Sequence, residues 1–426
     1  MTPNRRLAVA TAAALLLWTA FHARPTAAGG TQWDLDNVVQ TALAHHPLVS
    51  QADAEIQAAG ARKGQAESAY YPSIGLSTGY SRSRTFSSSS HRSLTTSSDS
   101  LQGTLSQILT DFGRTGSAVD RAGALLSSTR ETGRSVREDV ALAAKVAYYD
   151  VLRARRIVEV SRETVKQRES LLRQAQAYYD AGIRARIDVA RAEANLFQAR
   201  AELTAGENDL QVARITLLNR MGVDGPRDFE LNDTLATESL PGSMEEWLKE
   251  GEGNRPDLRA LLEKARAAAM SLRAARAGYN PVLTGNGGYG YAAEDFPLEQ
   301  NYSLSVQLTM PVFSGFLTRQ QVAEAQAQLA SARYAVTDMK RLVRLQVEQA
   351  ALSVRASSER SDARRKEREA SEENLRLATA RYEVGAGDII EMIDAQVQMT
   401  RSDTEVIEAL YDYSVSIASL QRAIGR

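Results

Sequence analysis

Apolar side chains recur along most of this chain on a helical period, and they do so over unusually long distances. Between residues 113 and 179, and again between 314 and 382, there is no proline, glycine occurs only early, and Ala, Arg, Glu, Leu and Gln dominate. That composition favours helix. Each run, of about 67 residues, predicts a helix roughly 100 Å long at a rise of 1.5 Å per residue. Val151, Val158, Val165, Leu172 and Tyr179 stand seven apart, as do Leu203, Leu210 and Leu217, and later Val406, Tyr413 and Leu420. An apolar residue at every seventh position predicts coiled-coil packing.

A period of two precedes each helical run. In the segment from Tyr302 to Met310, Tyr302, Leu304, Val306, Leu308 and Met310 fall on one face of a strand and Ser303, Ser305, Gln307 and Thr309 on the other. One face suits lipid and the other water. The segment Leu101 to Leu109 keeps the alternation less well, with Gln107 standing where Leu308 does. Strands are expected at about 72–82, 101–111, 281–291 and 302–311, two before each long helix.

These elements belong to a duplicated unit. His46-Pro47 and Tyr71-Pro72 are spaced like Arg255-Pro256 and Asn280-Pro281, and the blocks superpose at an offset of 209 that also brings Gly79-Tyr80 onto Gly288-Tyr289. Further on, Tyr179-Asp-Ala-Gly182 matches Tyr382-Glu-Val-Gly385 at an offset of 203, which holds to Gly222 and Gly425. The units are placed at 29–222 and 243–425, joined by a linker at 223–242. Because the offset is 201 at Phe112 and Phe313, the second long helix is expected to be two residues longer than the first. About eight extra residues fall in the first copy within Ser81 to Ser100, where serine and threonine runs predict an enlarged loop.

The chain opens with Arg5, Arg6, an apolar run from Leu7 to Trp18 and a stretch of small residues, which predicts a signal peptide over residues 1–28. Nothing after it approaches the roughly 18 apolar residues of a spanning helix, so a membrane crossing would have to be a barrel of short strands. With no cysteine, disulfides, thiol chemistry and a lipid-anchored amino terminus are excluded. The 51 basic side chains balance 52 acidic ones, which leaves no field to attract nucleic acid. His45, His46 and His91 have no spaced partners for a metal, and no phosphate loop or nucleophile elbow is present, so neither an enzyme nor a cofactor is implied.

Taken alone, the seven-residue seams suit an exported coiled-coil scaffold as well as a channel. The strands favour a channel. Four strands cannot close a barrel, and an open edge in lipid leaves backbone groups unpaired at several kcal/mol each, so the chain must oligomerise. Three copies would supply twelve strands.

The chain resembles the TolC family of outer-membrane efflux and secretion channels. The likeness rests on Leu105 to Thr115 and Leu308 to Gly315 as strand-to-helix junctions, and on Tyr-x-x-Gly at Tyr179 and Tyr382 as hairpin tips. The resemblance implies a homotrimer, mainly α with a membrane β-barrel, each protomer giving four strands and long coiled-coil helices. It would sit in the outer membrane of a Gram-negative-type envelope and extend through the periplasm. There it would be the passive exit duct of a tripartite efflux or type I secretion system, docked to a periplasmic adaptor and an inner-membrane pump or ABC transporter. The docking tips implied are Ala181-Gly182-Ile183 and Val384-Gly385-Ala386. Glycine after a long helix is equally an ordinary cap.

The family also places acidic residues around the narrow periplasmic entrance, and Glu391 and Asp394 occupy the matching positions, three apart on one helix face. Asp388 and Glu391 alternatively form a capping box. In the first copy the equivalent pair, Asp188 and Arg191, is of opposite charge and expected to attract. The resemblance assigns Tyr382 and Asp188 to contacts that hold the entrance closed, while Gly387 replaces a basic residue often found in the second tip.

Overall fold

A computed structural model describes residues 32–87, 89, 92–225, 229–233, 235, 241–293 and 298–426. The expected signal peptide, and parts of the linker at 223–242, lie outside them. The first copy runs β1 (Gln32–Trp33), α1 (Leu35–His45), α2 (Pro47–Glu67), β2 (Ser73–Ser87), β3 (Arg92–Thr110), α3 (Arg114–Asp180) and α4 (Arg186–Met221). After β4 (Glu230–Leu231) the second copy runs α5 (Met244–Asn254), α6 (Pro256–Arg276), β5 (Val282–Ala293), β6 (Glu299–Thr309), α7 (Leu317–Glu383) and α8 (Ile389–Ile424). Helix lengths repeat as 11, 21, 67 and 36 residues in both copies.

The long helices are therefore equal, and the two-residue excess expected in the second lies in the turn before it. That turn needs two consecutive residues in the left-handed region. In the first copy they are Phe112 (φ 54°) and Gly113 (φ 98°), and in the second Gly315 (φ 60°) and Phe316 (φ 64°). The pairs align at 203, so the likeness of Phe112 to Phe313 was out of register by two. Asp111 secures the first turn, its carboxylate accepting from the Gly113 amide at 3.2 Å and the Thr115 amide at 2.7 Å. Burial opposes its charge, but these donors and the Thr115 hydroxyl outweigh it and hold the carboxyl below its ordinary range.

The four long strands form one antiparallel sheet in the order β2-β3-β5-β6. Its register gathers most of the apolar side chains on a single face, Ile108 falling on the other. Ile74 lies across from Leu105, which lies across from Gly287 and then Leu304, and the next row is Leu76, Gly103, Tyr289 and Tyr302. The other face carries Ser77, Gln102, Gly290 and Asn301, or Ser73, Ser106, Asn286 and Ser305. On it the Ser106 hydroxyl bonds Asn286 Oδ1 at 2.9 Å. Gln107 falls on the apolar face, where its amide nitrogen donates to the backbone carbonyls of Tyr70 and Ile108.

Ser81 to Ser100 is paired strand over most of its length rather than a loop, with Arg82 opposite Ser97 and Arg84 opposite Thr95. The extra residues lengthen both strands of the first hairpin. Small hydroxyl side chains and β-branched threonine are compatible with a ladder when both faces meet water, which is why a composition typical of loops stays extended here.

Beneath the sheet, each long helix is flanked by two shorter helices set end to end. Along α3 these are α2 and α4, and along α7 they are α6 and α8. Pro47 and Pro256 start α2 and α6 at positions that need no amide donor. His46 caps α2, its Nδ1 accepting from the Leu48 amide at 3.2 Å. In the second copy Arg255 cannot accept, so Asp257 takes the Leu258 amide and the buried guanidinium pairs with Asp257. Gly222 and Gly425 end α4 and α8 at φ 69° and 79°, pressed against the His45-His46 and Asn254-Arg255 junctions.

Each copy has a core at this level, and the two correspond. Val140, Ala144, Leu217 and Met221 of the first match Val343, Val347, Leu420 and Ile424 of the second. The chain between the copies is clamped onto α3, where the Tyr148 hydroxyl donates to the Asn232 carbonyl and Arg156 pairs with Asp233 at 2.7 Å. The short parallel pair β1 and β4 closes the same region. No helix among the described residues is long and apolar enough to cross a membrane.

A β-carbon at Gly222 would sit 2.8 Å from the His45 carbonyl oxygen, whereas one at Gly182, also at positive φ, would meet nothing within 4 Å. Gly182→Ala is expected to cost about 1–2 kcal/mol from backbone strain alone. Gly222→Ala should cost more, because packed backbone must also move. Thermal unfolding of the two variants in detergent checks the order.

Candidate functional site

The two helical hairpins turn at the same end of the molecule. In the first tip the Gly182 and Ile183 amides return to the carbonyls of Tyr179 and Tyr178 at 2.9 Å each, and in the second Gly385 and Ala386 return to Tyr382 and Arg381 at 3.2 and 2.9 Å. Gly182 (φ 71°) and Gly385 (φ 77°) supply the left-handed residue that such helix ends require. Ala181, Gly182 and Ile183, and likewise Val384, Gly385 and Ala386, lie exposed at the extreme end.

Just above the turns, the hairpins pack on each other. Leu171, Ala175 and Ala192 of the first join Tyr382, Ile389, Met392 and Ile393 of the second in one buried cluster. The duplication is broken at its centre. Tyr382 is 1% exposed, while its counterpart Tyr179 is 40% exposed. The Tyr382 ring lies 6.0 Å from that of Tyr178, and its hydroxyl is buried with no hydrogen-bond partner among the described residues. Burial, then the negative charge of Asp188, push its ionisation up, while Arg184 works in the opposite sense.

The acidic residues occupy the opposite face of α8. Ile389, Met392 and Ile393 point into the cluster, while Glu391 and Asp394 are exposed together above a shallow depression lined also by Asn374, Ile390 and Gln398. Asp388 caps α8 by accepting from the Glu391 amide at 2.9 Å. Only half of the expected capping box forms, because the Glu391 carboxylate turns instead to Arg381, Nε to Oε1 3.1 Å. Among the described residues Asp394 has no ion pair. Asp188 and Arg191, both partly buried, form none with each other among the described residues.

Two basic residues here were not singled out from the sequence. Arg381 sits beside Tyr382, and Arg184 follows the first tip, crosses to the second and donates to the Gly387 carbonyl at 2.9 Å. Further up, α3 and α8 meet through a polar layer, with Thr164 against Thr400 at 3.2 Å and buried Arg168 bonded to Gln396. Burial alone pushes the Arg168 guanidinium down, and Glu202 only partly opposes this.

A sheet that is apolar on one face and polar on the other, set above long helical hairpins that pack on each other near their tips, is the architecture of an outer-membrane channel protomer reaching into the periplasm. The family model described as outer membrane efflux protein matches residues 38–223 and 247–426. The chain belongs to that family. It is similar to the outer membrane efflux protein BepC of Brucella suis, 27% identical over 85% of this chain and 78% of that one. It is likewise similar to the outer membrane protein TolC of Escherichia coli, 24% identical over 92% and 82%. A crystal structure of a membrane protein from Pseudomonas aeruginosa superposes with a TM-score of 0.83, at 25% identity over 95% of this chain and 98% of that one. The protein is an efflux channel of the outer membrane.

Because the Tyr382 hydroxyl has no partner among the described residues, Tyr382→Phe should leave thermal stability unchanged or raise it. Tyr382→Ala, which empties the cluster, should cost about 3–5 kcal/mol. Denaturation of the detergent-solubilised protein measures both.

Proposed function

We propose that three copies of this chain assemble into a continuous duct whose closed periplasmic mouth is formed by the hairpin tips, and that the duct passively conducts substrate once docked to a periplasmic adaptor and an inner-membrane pump. The carrying observation is the open sheet. β2 and β6 have no further strand partner among the described residues, and the apolar face is bare, with Leu304 87% exposed. Neighbouring copies joined edge to edge would pair those backbone groups and present the apolar face to lipid. TolC-like outer-membrane channels generally form trimers and work with adaptors and pumps, which agrees with this arrangement. An exported scaffold would have no use for the bare apolar face.

At the mouth, Glu391 and Asp394 form a ring of carboxylates that favours cations. Their contributions are unequal, because Arg381 offsets Glu391 while Asp394 has no ion pair among the described residues. Asp394→Asn should therefore reduce cation preference in single-channel recordings by more than Glu391→Gln. Equal effects would remove the role given to Arg381, and unchanged selectivity in both would remove the ring.

Docking is assigned to the exposed tips. With Ala181→Cys or Ala386→Cys, a short thiol-reactive crosslinker applied to whole cells should recover a periplasmic adaptor joined to the channel. A cysteine placed at Ser303, on the sheet, should recover none.

A further inference from the structure

We infer that Arg184 is the positioning residue that holds the two hairpins of each protomer together at the closed mouth. The inference rests on the gate reading above and adds to it the group that keeps the gate shut.

Arg184 and Gly387 occupy equivalent positions in the duplicated unit, 203 residues apart, each two residues after the glycine of its tip. The first copy carries a cation there and the second carries no side chain. A β-carbon on Gly387 would lie 3.1 Å from Arg381 Cβ and 3.1 Å from Glu391 Oε2, so a side chain there would press on both. What the second tip offers is a backbone carbonyl, and Arg184 Nη2 donates to that oxygen at 2.9 Å. The same guanidinium stands 5.4 Å from the centre of the Tyr382 ring, within reach of its negative face. One side chain from the first hairpin thus grips the second at two points, a turn carbonyl and a buried aromatic ring.

The contact lies where separation of the hairpins must begin. Below the cluster of Leu171, Ala175, Ala192, Tyr382, Ile389, Met392 and Ile393, Arg184 makes the polar bond that crosses between the tips. Swinging α7 and α8 away from α3 and α4 breaks the carbonyl bond and uncovers the Tyr382 ring together. A planar guanidinium serves both contacts, because its edge donates while its face stacks. An ammonium can serve the carbonyl but is a poorer cover for the ring.

The test is single-channel conductance of the full-length channel in planar bilayers, with cation preference recorded on the same channels. Arg184→Ala should raise conductance severalfold, Arg184→Lys should restore part of the closure, and Arg186→Ala, which removes a charge from the same exposed tip, should leave conductance at the wild-type level. If Arg184→Ala fails to assemble, Arg184→Gln, which keeps an N–H donor without the charge, should give a conductance above wild type. A wild-type conductance for the Ala or Gln variant, in a channel whose cation preference still falls with Asp394→Asn, overturns the latch and leaves the gate standing. A rise in conductance with Arg186→Ala as large as with Arg184→Ala also overturns it, since any tip charge would then serve. No response of selectivity to Asp394→Asn removes the gate itself.

Discussion

Everything in this molecule follows from a backbone that must be paired where no water can pair it. In the hydrocarbon of a bilayer an open strand edge is untenable, and among the described residues this chain brings four long strands, ordered so that the first and last remain edges. The sheet is incomplete by construction. Its register puts most of the leucine, isoleucine and tyrosine on one face and most of the serine, threonine, glutamine and asparagine on the other, so closure with other copies, as proposed above, would fix at once which side meets lipid and which encloses water. Where the first hairpin is longer than the second, its strands are mostly serine, threonine and arginine, with Phe86 and Leu94 as the apolar exceptions.

The helices inherit the same geometry, since a tube closed at the sheet must be continued by elements that stay side by side for about 100 Å. The chain achieves this by setting two shorter helices end to end along each long one, with a left-handed glycine fitted against the joint. A straight helix drifts by about 20° per heptad against a seven-residue repeat, and the drift is visible in α3. Val151, Ala154 and Val158 are buried, but below them the buried line passes through Thr164, Arg168, Leu171 and Ala175, and Val165 and Leu172 are only partly covered. The polar layer of Thr164, Arg168, Gln396 and Thr400 falls where the seam changes. Polar groups at such positions fix register at some cost in stability.

The parts that were legible in the sequence are those with local causes. Seven-residue spacing, Pro47 and Pro256 at helix starts, and Gly222 and Gly425 at helix ends are signals a single segment carries, and duplication wrote each of them twice. The hairpin from Ser81 to Ser100 misled because its extension depends on cross-strand pairing and on surrounding water, neither of which is in its composition. The turn before each long helix misled because two left-handed residues can be Phe-Gly or Gly-Phe, so conformation aligns where residue types do not. Within the site, Glu391 and Asp394 could be placed on one face by spacing, but Arg381 reaches Glu391 across a turn and Arg184 reaches Gly387 across some two hundred residues. No local period encodes either contact.

Two identical hairpins would leave each tip the same polar and apolar demands, and nothing would decide which moved and which stayed. The second copy departs from the first at the points that remove this degeneracy. Tyr382 is buried where Tyr179 is exposed, Asp388 caps α8 where Ala185 gives α4 no side-chain cap, and Gly387 is bare where Arg184 is charged. These differences are complementary. The buried ring and the bare carbonyl of the second tip are what the cation of the first tip requires, so divergence has turned a repeat into a pair with a donor side and an acceptor side. Near the tips the hairpins meet through Arg184 and a small apolar cluster, and above these lies the polar layer of Thr164, Arg168, Gln396 and Thr400. On the gate proposed above, the tips would part while the cores built on Val140 and Val343 stay intact.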